Sequence, residues 1–169
     1  ISDYPKYPDH PEAEWTKING ANDIELIIPM LKLNGFSETN ITVLTDSQAT
    51  KANIKSAILG LNETLKSGDI VFIHFSGHGQ LITDVDGDEG MTGYDESFIP
   101  YDAQKVYAAD IYTGENHIVD DKLNGWLHSI NKTIGVKGRL VVVLDACHSG
   151  GGTRDESEDD FNDVVIRGV

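Results

Sequence analysis

Two short apolar runs constrain the fold of this chain more than any other feature of its sequence. Residues 69–75 read DIVFIHF and residues 140–146 read LVVVLDA. Neither run alternates apolar with polar side chains, as the strands of a half-exposed sheet do. Strands without alternation are typical of a parallel sheet whose two faces are covered by helices. The runs therefore predict two buried strands of one parallel sheet.

The segments between and around these runs have helical spacing. Apolar residues recur every three or four positions in three segments, residues 22–33, 50–65 and 120–130. Residues 41–44 predict one more short strand, whereas residues 79–117, which are rich in Asp and Gly, predict mostly loop. Because strands alternate with helices along the chain, we expect an α/β fold.

The length and charge of the chain limit its domain organisation and its possible partners. A chain of 169 residues fits one domain, 1–169, with a core of its own. We expect the proline-rich residues 1–15 to be extended and residues 150–169 to form an acidic, partly mobile tail. A formal net charge of −15 argues against nucleic acid and anionic lipid as partners. Since no apolar run approaches the roughly 20 residues that span a bilayer, we expect no membrane span and a cytoplasmic protein.

Both predicted strands end in small residues that flank a reactive side chain. SGHGQ follows Phe75 and CHSGG follows Ala146. In open α/β sheets, sites form beyond the carboxyl ends of the strands. A thiol, with a pKa of about 8.5, becomes a good nucleophile when a neighbouring base takes its proton. We therefore predict a catalytic pair of Cys147 and His78, with the backbone amides of Gly79 and Cys147 as oxyanion donors.

Other assignments stay open from the residues alone. Cys147 is the only cysteine, so it forms no internal disulfide, and a lone cysteine after an apolar run is usually a core residue. His148 is a poorer base than His78, because adjacent residues of an extended chain point to opposite faces. We expect His74, inside the first run, to be a hydrogen-bonded core residue. The remaining histidines are expected at the surface or in loops: His10, His117 and His128.

Four motifs, in their order along the chain, carry a family resemblance. They read HFSGHGQ, DVDGDEGMTGYDESFIPYD, IVDDKLNGWL and VVVLDACHSGGG. Together they resemble the large-subunit, p20-like region of metacaspases and bacterial caspase-like proteases. The resemblance implies a three-layer caspase-hemoglobinase α/β fold, with a mostly parallel sheet and helices on both faces. It also implies that the first strand and the small-subunit part of that fold lie outside this chain.

The resemblance implies roles for individual residues. Cys147 matches the nucleophile and His78 the catalytic histidine of cysteine endopeptidases that cleave after Arg or Lys. Asp145, Ser76 and Asp23 match positions lining the P1 pocket, which receives the side chain before the cleaved bond. A guanidinium binds a carboxylate through two parallel hydrogen bonds, so two acids suit a basic residue. The match of Asp23 rests on GAND, which is one residue shorter than the family's pattern and lacks its cysteine.

A metal site is a further expectation from the resemblance. Asp95, Asp120 and Asp121 match the calcium positions of metacaspases, and hard carboxylate oxygens suit Ca²⁺. The alternative is a solvated acidic loop in which Asp120 caps the helix that follows it. The peptidase chemistry requires no cofactor, so calcium would be an activator.

The function expected from these features is a cysteine endopeptidase acting on peptides or proteins with a basic P1 residue. Self-processing is expected after basic residues near the end of the chain, Arg154 and Arg167. The family's own small-subunit region is the expected protein partner. Two alternatives stay open: a catalytically silent caspase-like adaptor and a calcium-binding interaction module.

Overall fold

The computed structural model describes residues 1–83, 94–107 and 111–146, and the backbone of residues 164–167. The α-helices in this part of the chain are α1 Ile24–Leu33, α2 Lys51–Gly60 and α3 Asp120–Ile134. The strands are β1 Ile70–Ser76, β2 Gly79–Thr83, β3 Tyr94–Phe98, β4 Ile118–Val119, β5 Arg139–Asp145 and β6 Val164–Arg167. Short 3-10 helices occur at Pro11–Ala13, Gly20–Asp23, Glu38–Asn40, Asp46–Gln48 and Leu61–Glu63.

A parallel sheet in the order β1-β5-β6 forms the centre of the fold. β1 and β5 pair along their whole length and end with Ser76 beside Asp145. β6 continues the sheet on the other side of β5 and ends with Arg167 beside Asp145. The two apolar runs are therefore neighbouring parallel strands, as the sequence predicts, and their carboxyl ends lie at the same edge of the sheet.

One face of this sheet carries the main hydrophobic core. Leu140, Val142 and Leu144 of β5 are at most 1% exposed. They pack against two helices. The residues are Ile58 of α2 and Leu123, Leu127, Ile130 and Ile134 of α3. On the opposite face, Val141 and Val143 are only half-buried. In the described part of the chain, the unbroken apolar sequence of β5 thus has one fully covered face and one partly covered face.

A second sheet lies where the sequence predicts mostly loop. It is antiparallel, with β3 at its centre and β2 and β4 on either side. The loop prediction for residues 79–117 is wrong here because the inward-facing residues of β3 are polar. Asp95 and Ser97 are 5% and 3% exposed. Hydrophobic periodicity cannot detect a strand whose buried face carries an acid and a hydroxyl.

Residues 41–44 are extended but do not form the strand that the sequence predicts. A strand needs a neighbour about 4.8 Å away to accept and donate its backbone hydrogen bonds. Instead, these residues line a cavity of about 1100 Å³ together with α1, α2 and β1. The apolar pattern of the segment is correct for a strand, but no described strand lies next to it.

The start of α2 and the end of α3 follow ordinary capping rules. The Thr50 hydroxyl accepts a hydrogen bond from the Asn53 N–H at 3.2 Å and starts α2. α2 ends at Gly60 and tightens into the 3-10 helix that follows, within the predicted range 50–65. α3 runs past its predicted end to Ile134, where Gly135 at a φ of +63° terminates it. None of the helices in the described ranges is long and apolar enough to cross a membrane.

Candidate active site

His78 stands where the chain leaves β1, and the first residues of the chain hold it there. Its imidazole stacks on Trp15, with ring centroids 4.9 Å apart and ring planes 27° apart. The Tyr4 ring lies on another side, with its centroid 5.2 Å away. The backbone N–H of His78 also donates to the Tyr4 hydroxyl at 3.1 Å. The segment predicted only to be extended therefore forms the walls around this histidine.

A hydrogen bond to the Thr16 backbone sets the tautomer of His78. The Nε2 atom lies 2.8 Å from the Thr16 carbonyl oxygen. Because a carbonyl oxygen can only accept, Nε2 carries the proton of the neutral ring. Nδ1 is then the acceptor, and it can take a proton from a group that faces it.

The two rings around His78 are anchored in a second hydrophobic core. The Trp15 Nε1–H donates to the Ala103 carbonyl at 2.9 Å, and the Tyr4 hydroxyl lies 3.3 Å from the Ile99 carbonyl. Burial raises the pKa of Tyr4 to about 12, so its hydroxyl stays protonated and donates at neutral pH. Hydrophobic periodicity cannot reveal this cluster, because its members lie far apart along the chain.

Cys147 lies outside the described residues, so its catalytic role stays a prediction. The strand ends that lead to it are described. Ser76 and Asp145 are register partners, and the Gly77 N–H donates to the Asp145 carbonyl at 3.1 Å. In the sequence, His78 and Cys147 each come two positions after this pair.

Gly79, the other predicted oxyanion donor, opens β2. It pairs with Phe98 of β3, and the carbonyl of the preceding His78 accepts a hydrogen bond from the Ile99 N–H at 3.0 Å. These contacts fix the backbone on the far side of the histidine. The oxyanion role itself depends on Cys147 and stays a prediction.

The residues predicted to line the P1 pocket lie near the same edge of the sheet. Asp23 belongs to the 3-10 helix Gly20–Asp23, which packs against β1. A Cβ atom at Gly20 would lie 2.7 Å from the Ser76 carbonyl oxygen and 2.8 Å from its Oγ. Only glycine permits this approach. Asp23 and Ser76 are half-buried, whereas Asp145 is exposed.

His74 joins this group of residues, which the sequence did not indicate. Its Nε2 atom lies 3.9 Å from Oδ2 of Asp23, and the two side chains are 17% and 35% exposed. Burial lowers the pKa of His74 below its usual value, while the negative charges of Asp23 and Asp145 oppose that shift. The expectation of a hydrogen-bonded core residue is wrong for His74: the side chain is only half-buried, and the carboxylate beside it lies beyond hydrogen-bond distance.

The structure brings together the three carboxylates predicted to bind calcium. One oxygen from each of Asp95, Asp120 and Asp121 lies within 4.8 Å of the others. Asp95 and Asp120 are buried, at 5% and 7% exposure, while Asp121 is exposed. Val119 occupies the N-cap of α3, so Asp120 is the first helical residue and not the cap proposed as the alternative. Buried acids at this spacing repel one another, and their hard oxygen donors fit a Ca²⁺ ion.

His117 lies in the loop before β4, as the sequence predicts, but it is buried and not a surface residue, at only 4% exposure. Its Nδ1 lies 2.7 Å from the Tyr112 hydroxyl and its Nε2 lies 2.9 Å from Oε1 of Gln80. The amide oxygen only accepts, so Nε2 donates and Nδ1 accepts from the tyrosine. Burial, with a smaller effect of Lys51, lowers the pKa of His117 to about 4. The network ties the strand after His78 to the start of β4.

Comparisons with known proteins agree with this arrangement. Residues 17–154 match the family model described as metacaspase, peptidase C14 domain. Metacaspase-6 of Arabidopsis thaliana is 35% identical over 136 residues, which cover 77% of this chain and 33% of the plant protein. Metacaspase-1A of Aspergillus niger is 36% identical over 136 residues, covering 76% of this chain and 30% of the fungal protein. A crystal structure of protein GSU0716 from Geobacter sulfurreducens has a TM-score of 0.61 at 28% identity, covering 85% of this chain and 47% of that one.

The parallel sheet, the histidine at its edge and these matches define a caspase-like α/β domain of the cysteine peptidase class. The chain belongs to the metacaspase family. It spans about a third of the length of the curated relatives named above.

Proposed function

We propose that this chain carries the catalytic centre of a cysteine endopeptidase that cleaves after Arg or Lys. The observation that best supports the proposal is the 2.8 Å contact between His78 Nε2 and the Thr16 carbonyl. This contact leaves Nδ1 as the proton acceptor, which is the state that a general base requires. Family membership supports the same chemistry.

The strand register supports Cys147 as the partner of this base. Neighbouring parallel strands lie about 4.8 Å apart, and Ser76 and Asp145 are in register at the edge of the sheet. His78 and Cys147 follow this pair at equal offsets. Their side chains can therefore approach each other above the sheet edge.

The proposed reaction has two steps. The Cys147 thiol gives its proton to His78 Nδ1, and Sγ attacks the carbonyl carbon of the peptide bond. The backbone amides of Gly79 and Cys147 would hold the resulting oxyanion. The imidazolium then protonates the departing amine, leaving a thioester. Water attacks the thioester with His78 again as base, and the thiol is regenerated.

Asp23, Asp145 and Ser76 are proposed to select the basic P1 side chain. The half-buried Asp23 and the exposed Asp145 both lie at the sheet edge from which the catalytic residues continue. Two carboxylates attract a guanidinium or an ammonium and repel an acidic P1 side chain. Arg should be preferred over Lys, because its planar fork can bond to a carboxylate through two donors.

Calcium is proposed as an activator bound by Asp95, Asp120 and Asp121. Their oxygens come from the start of β3 and the first turn of α3, so an ion would tie the second sheet to the helix that packs in the main core. The positive end of the helix dipole also lowers the repulsion between the acids. Calcium supplies charge neutralisation here, and the peptidase steps above do not pass through it.

Self-processing is proposed after Arg154, which lies outside the described residues. Arg167, the other candidate from the sequence, is a poor site because it lies in β6, paired with β5. A protease binds an extended segment whose backbone is free, and a strand inside a sheet is not. The family's small-subunit region remains the proposed partner that completes the site.

Activity-based labelling tests the proposal most directly. The complete protein should cleave fluorogenic peptides ending in Arg, and less rapidly those ending in Lys, but not those ending in Asp. A thiol-directed electrophile carrying Arg should modify Cys147, as located by mass spectrometry, and His78→Ala should slow the modification. An intact protein that is neither labelled nor active on any of these peptides would instead support the adaptor function.

A further inference from the structure

His74 lies on the same face of β1 as Ser76, because the two residues are two positions apart in a strand. The neighbouring strand places Asp145 beside Ser76 on that face. The turn before α1 contributes Asp23, whose Oδ2 is 3.9 Å from His74 Nε2. An imidazole thus lies on the same face as Asp145 and next to Asp23 in the proposed P1 pocket, and it is less exposed than Asp23, at 17% against 35%.

We propose that His74 is a specificity-determining residue of this pocket, and that its protonated form competes with the basic P1 side chain of the substrate for Asp23. The inference rests on the proposed function, because it assumes that Asp23 and Asp145 receive the substrate's cation. It adds a third residue to that pocket and makes its selectivity for charge depend on pH.

The competition follows from the charges around the imidazole. With His74 neutral, the pocket offers two negative charges to a guanidinium. With His74 protonated, one carboxylate already has a cation beside it, and the substrate's cation meets a like charge. Asp23 and Asp145 favour the protonated imidazole, while burial disfavours it. Burial is the largest of these effects, so the pKa of His74 lies below its usual value and the ring is neutral at neutral pH.

Thermodynamic linkage makes the effect reciprocal. If protonation of His74 weakens binding of a P1 cation, binding of that cation must lower the pKa of His74 by the same free energy. A neutral P1 side chain of the same shape should do neither. Citrulline provides this comparison, because it replaces the guanidinium of Arg with an uncharged urea group.

The test is the ratio of kcat/KM for matched peptides ending in Arg and in citrulline, measured on the complete protein from about pH 5 to about pH 8. Titration of the catalytic thiol and imidazole affects both peptides, so it cancels in the ratio. In the wild-type protein the ratio should fall toward acid pH and approach a loss of about fivefold, the factor expected for unit charges about 4 Å apart in a water-like medium. In His74→Gln the ratio should stay flat over this range.

His128→Gln is the matched control, because His128 is exposed on α3. It should keep the wild-type profile. A ratio that falls equally in the wild type and in His74→Gln, or that is flat in both, would overturn the role of His74 while leaving Arg cleavage intact. Absence of Arg cleavage at every pH would overturn the proposed function itself, and this inference with it.

A second measurement keeps the native imidazole and does not require the His74 variant to fold. NMR titration of His74 in the Cys147→Ala protein should give a lower pKa with a saturating Arg-ended peptide than with the citrulline peptide. Equal values of the pKa with the two peptides, both shown to be bound, would contradict the proposal.

Discussion

Trp15 lies against the ring of His78, at a centroid distance of 4.9 Å, and the residue after it supplies the carbonyl that fixes the tautomer of the histidine. The Trp15 indole is in turn bound to Ala103. The orientation of the proposed base is therefore set by a segment outside the sheet, and this relationship gives the first prediction.

Trp15→Ala should lower kcat by about 10–100-fold, because a catalytic group that shifts by about 1 Å loses most of its efficiency. It should also cost about 3–5 kcal/mol of unfolding free energy, since a buried aromatic side chain is removed. Trp126→Ala is the control: Trp126 packs on the main core, away from His78, so it should reduce stability and leave kcat unchanged. Equal kcat values in folded Trp15→Ala and wild-type protein would show that the stacking is irrelevant to catalysis.

The second prediction concerns the catalytic pair. Cys147→Ala and His78→Ala should each abolish turnover in the complete protein, and the double variant should be no worse than either single one. Residues that act as a unit lose their effect together, so their contributions are not additive. Steady-state kinetics on an Arg-ended peptide gives the comparison, and circular dichroism verifies the fold. Substantial turnover by Cys147→Ala would remove the thiol from the mechanism.

The third prediction concerns the charge of the P1 pocket. Asp145→Asn should lower kcat/KM for an Arg-ended peptide by about tenfold and leave a citrulline-ended peptide unaffected. The loss is placed below the range for broken buried charge pairs because Asp145 is exposed and screened by solvent. Asp9→Asn, which also removes one exposed carboxylate but is not one of the proposed pocket residues, is the control. If both peptides lose activity equally, Asp145 supports the fold or the nucleophile, not the P1 side chain.

The fourth prediction concerns calcium. Saturating Ca²⁺ should raise the unfolding temperature, and a chelator should reverse the effect. At a calcium concentration one hundred times the Kd, the free energy of unfolding should increase by about 2.7 kcal/mol. Asp121→Asn should weaken this response without harming the fold, since Asp121 is exposed in the first turn of α3. Glu25→Gln, exposed in the first turn of α1, should respond like the wild type. If the unfolding temperature does not change when Ca²⁺ is added, the three acids do not bind the ion.

The fifth prediction concerns pH and the fold. The unfolded chain protonates His117 near its ordinary pKa of about 6.5, whereas burial holds the folded pKa at about 4. Between these values the unfolded state binds more protons, so stability falls as the pH drops from about 6.5 to about 4. The full loss from this residue is about 3 kcal/mol. Urea unfolding should show a shallower pH dependence for His117→Gln than for the wild type, and no such difference for the exposed His128→Gln.

The sequence predicts the parts of this molecule that depend on periodicity. The apolar runs are neighbouring parallel strands, and Leu123, Leu127 and Ile130 lie on the buried face of α3 as their spacing indicates. The prediction fails where buried residues are polar, as in β3, and where an extended segment has no partner, as at residues 41–44. In both cases the outcome depends on tertiary contacts, which local sequence patterns do not contain.

The candidate site divides in the same way. The places of His78, Asp23 and Asp145 at strand ends and at a turn can be predicted from their motifs, while their roles in catalysis and binding stay predictions. The hydrogen bond from His78 to Thr16, the contact of His74 with Asp23 and the burial of His117 join residues that are far apart in sequence. Contacts between residues that are distant along the chain leave no pattern in a single sequence.

β5 is paired on both of its sides, with β1 and with β6, and its buried face is in the main core. Backbone amides in such a strand exchange with solvent only when the whole domain opens, whereas irregular surface segments open far more often. The stretch around Trp15 and Thr16 has no regular secondary structure. We therefore expect different lifetimes for the two halves of the proposed catalytic pair. The strand leading to the thiol should persist as long as the fold, while the segment around Trp15 and Thr16, held by side-chain packing and not by a strand ladder, should open more often.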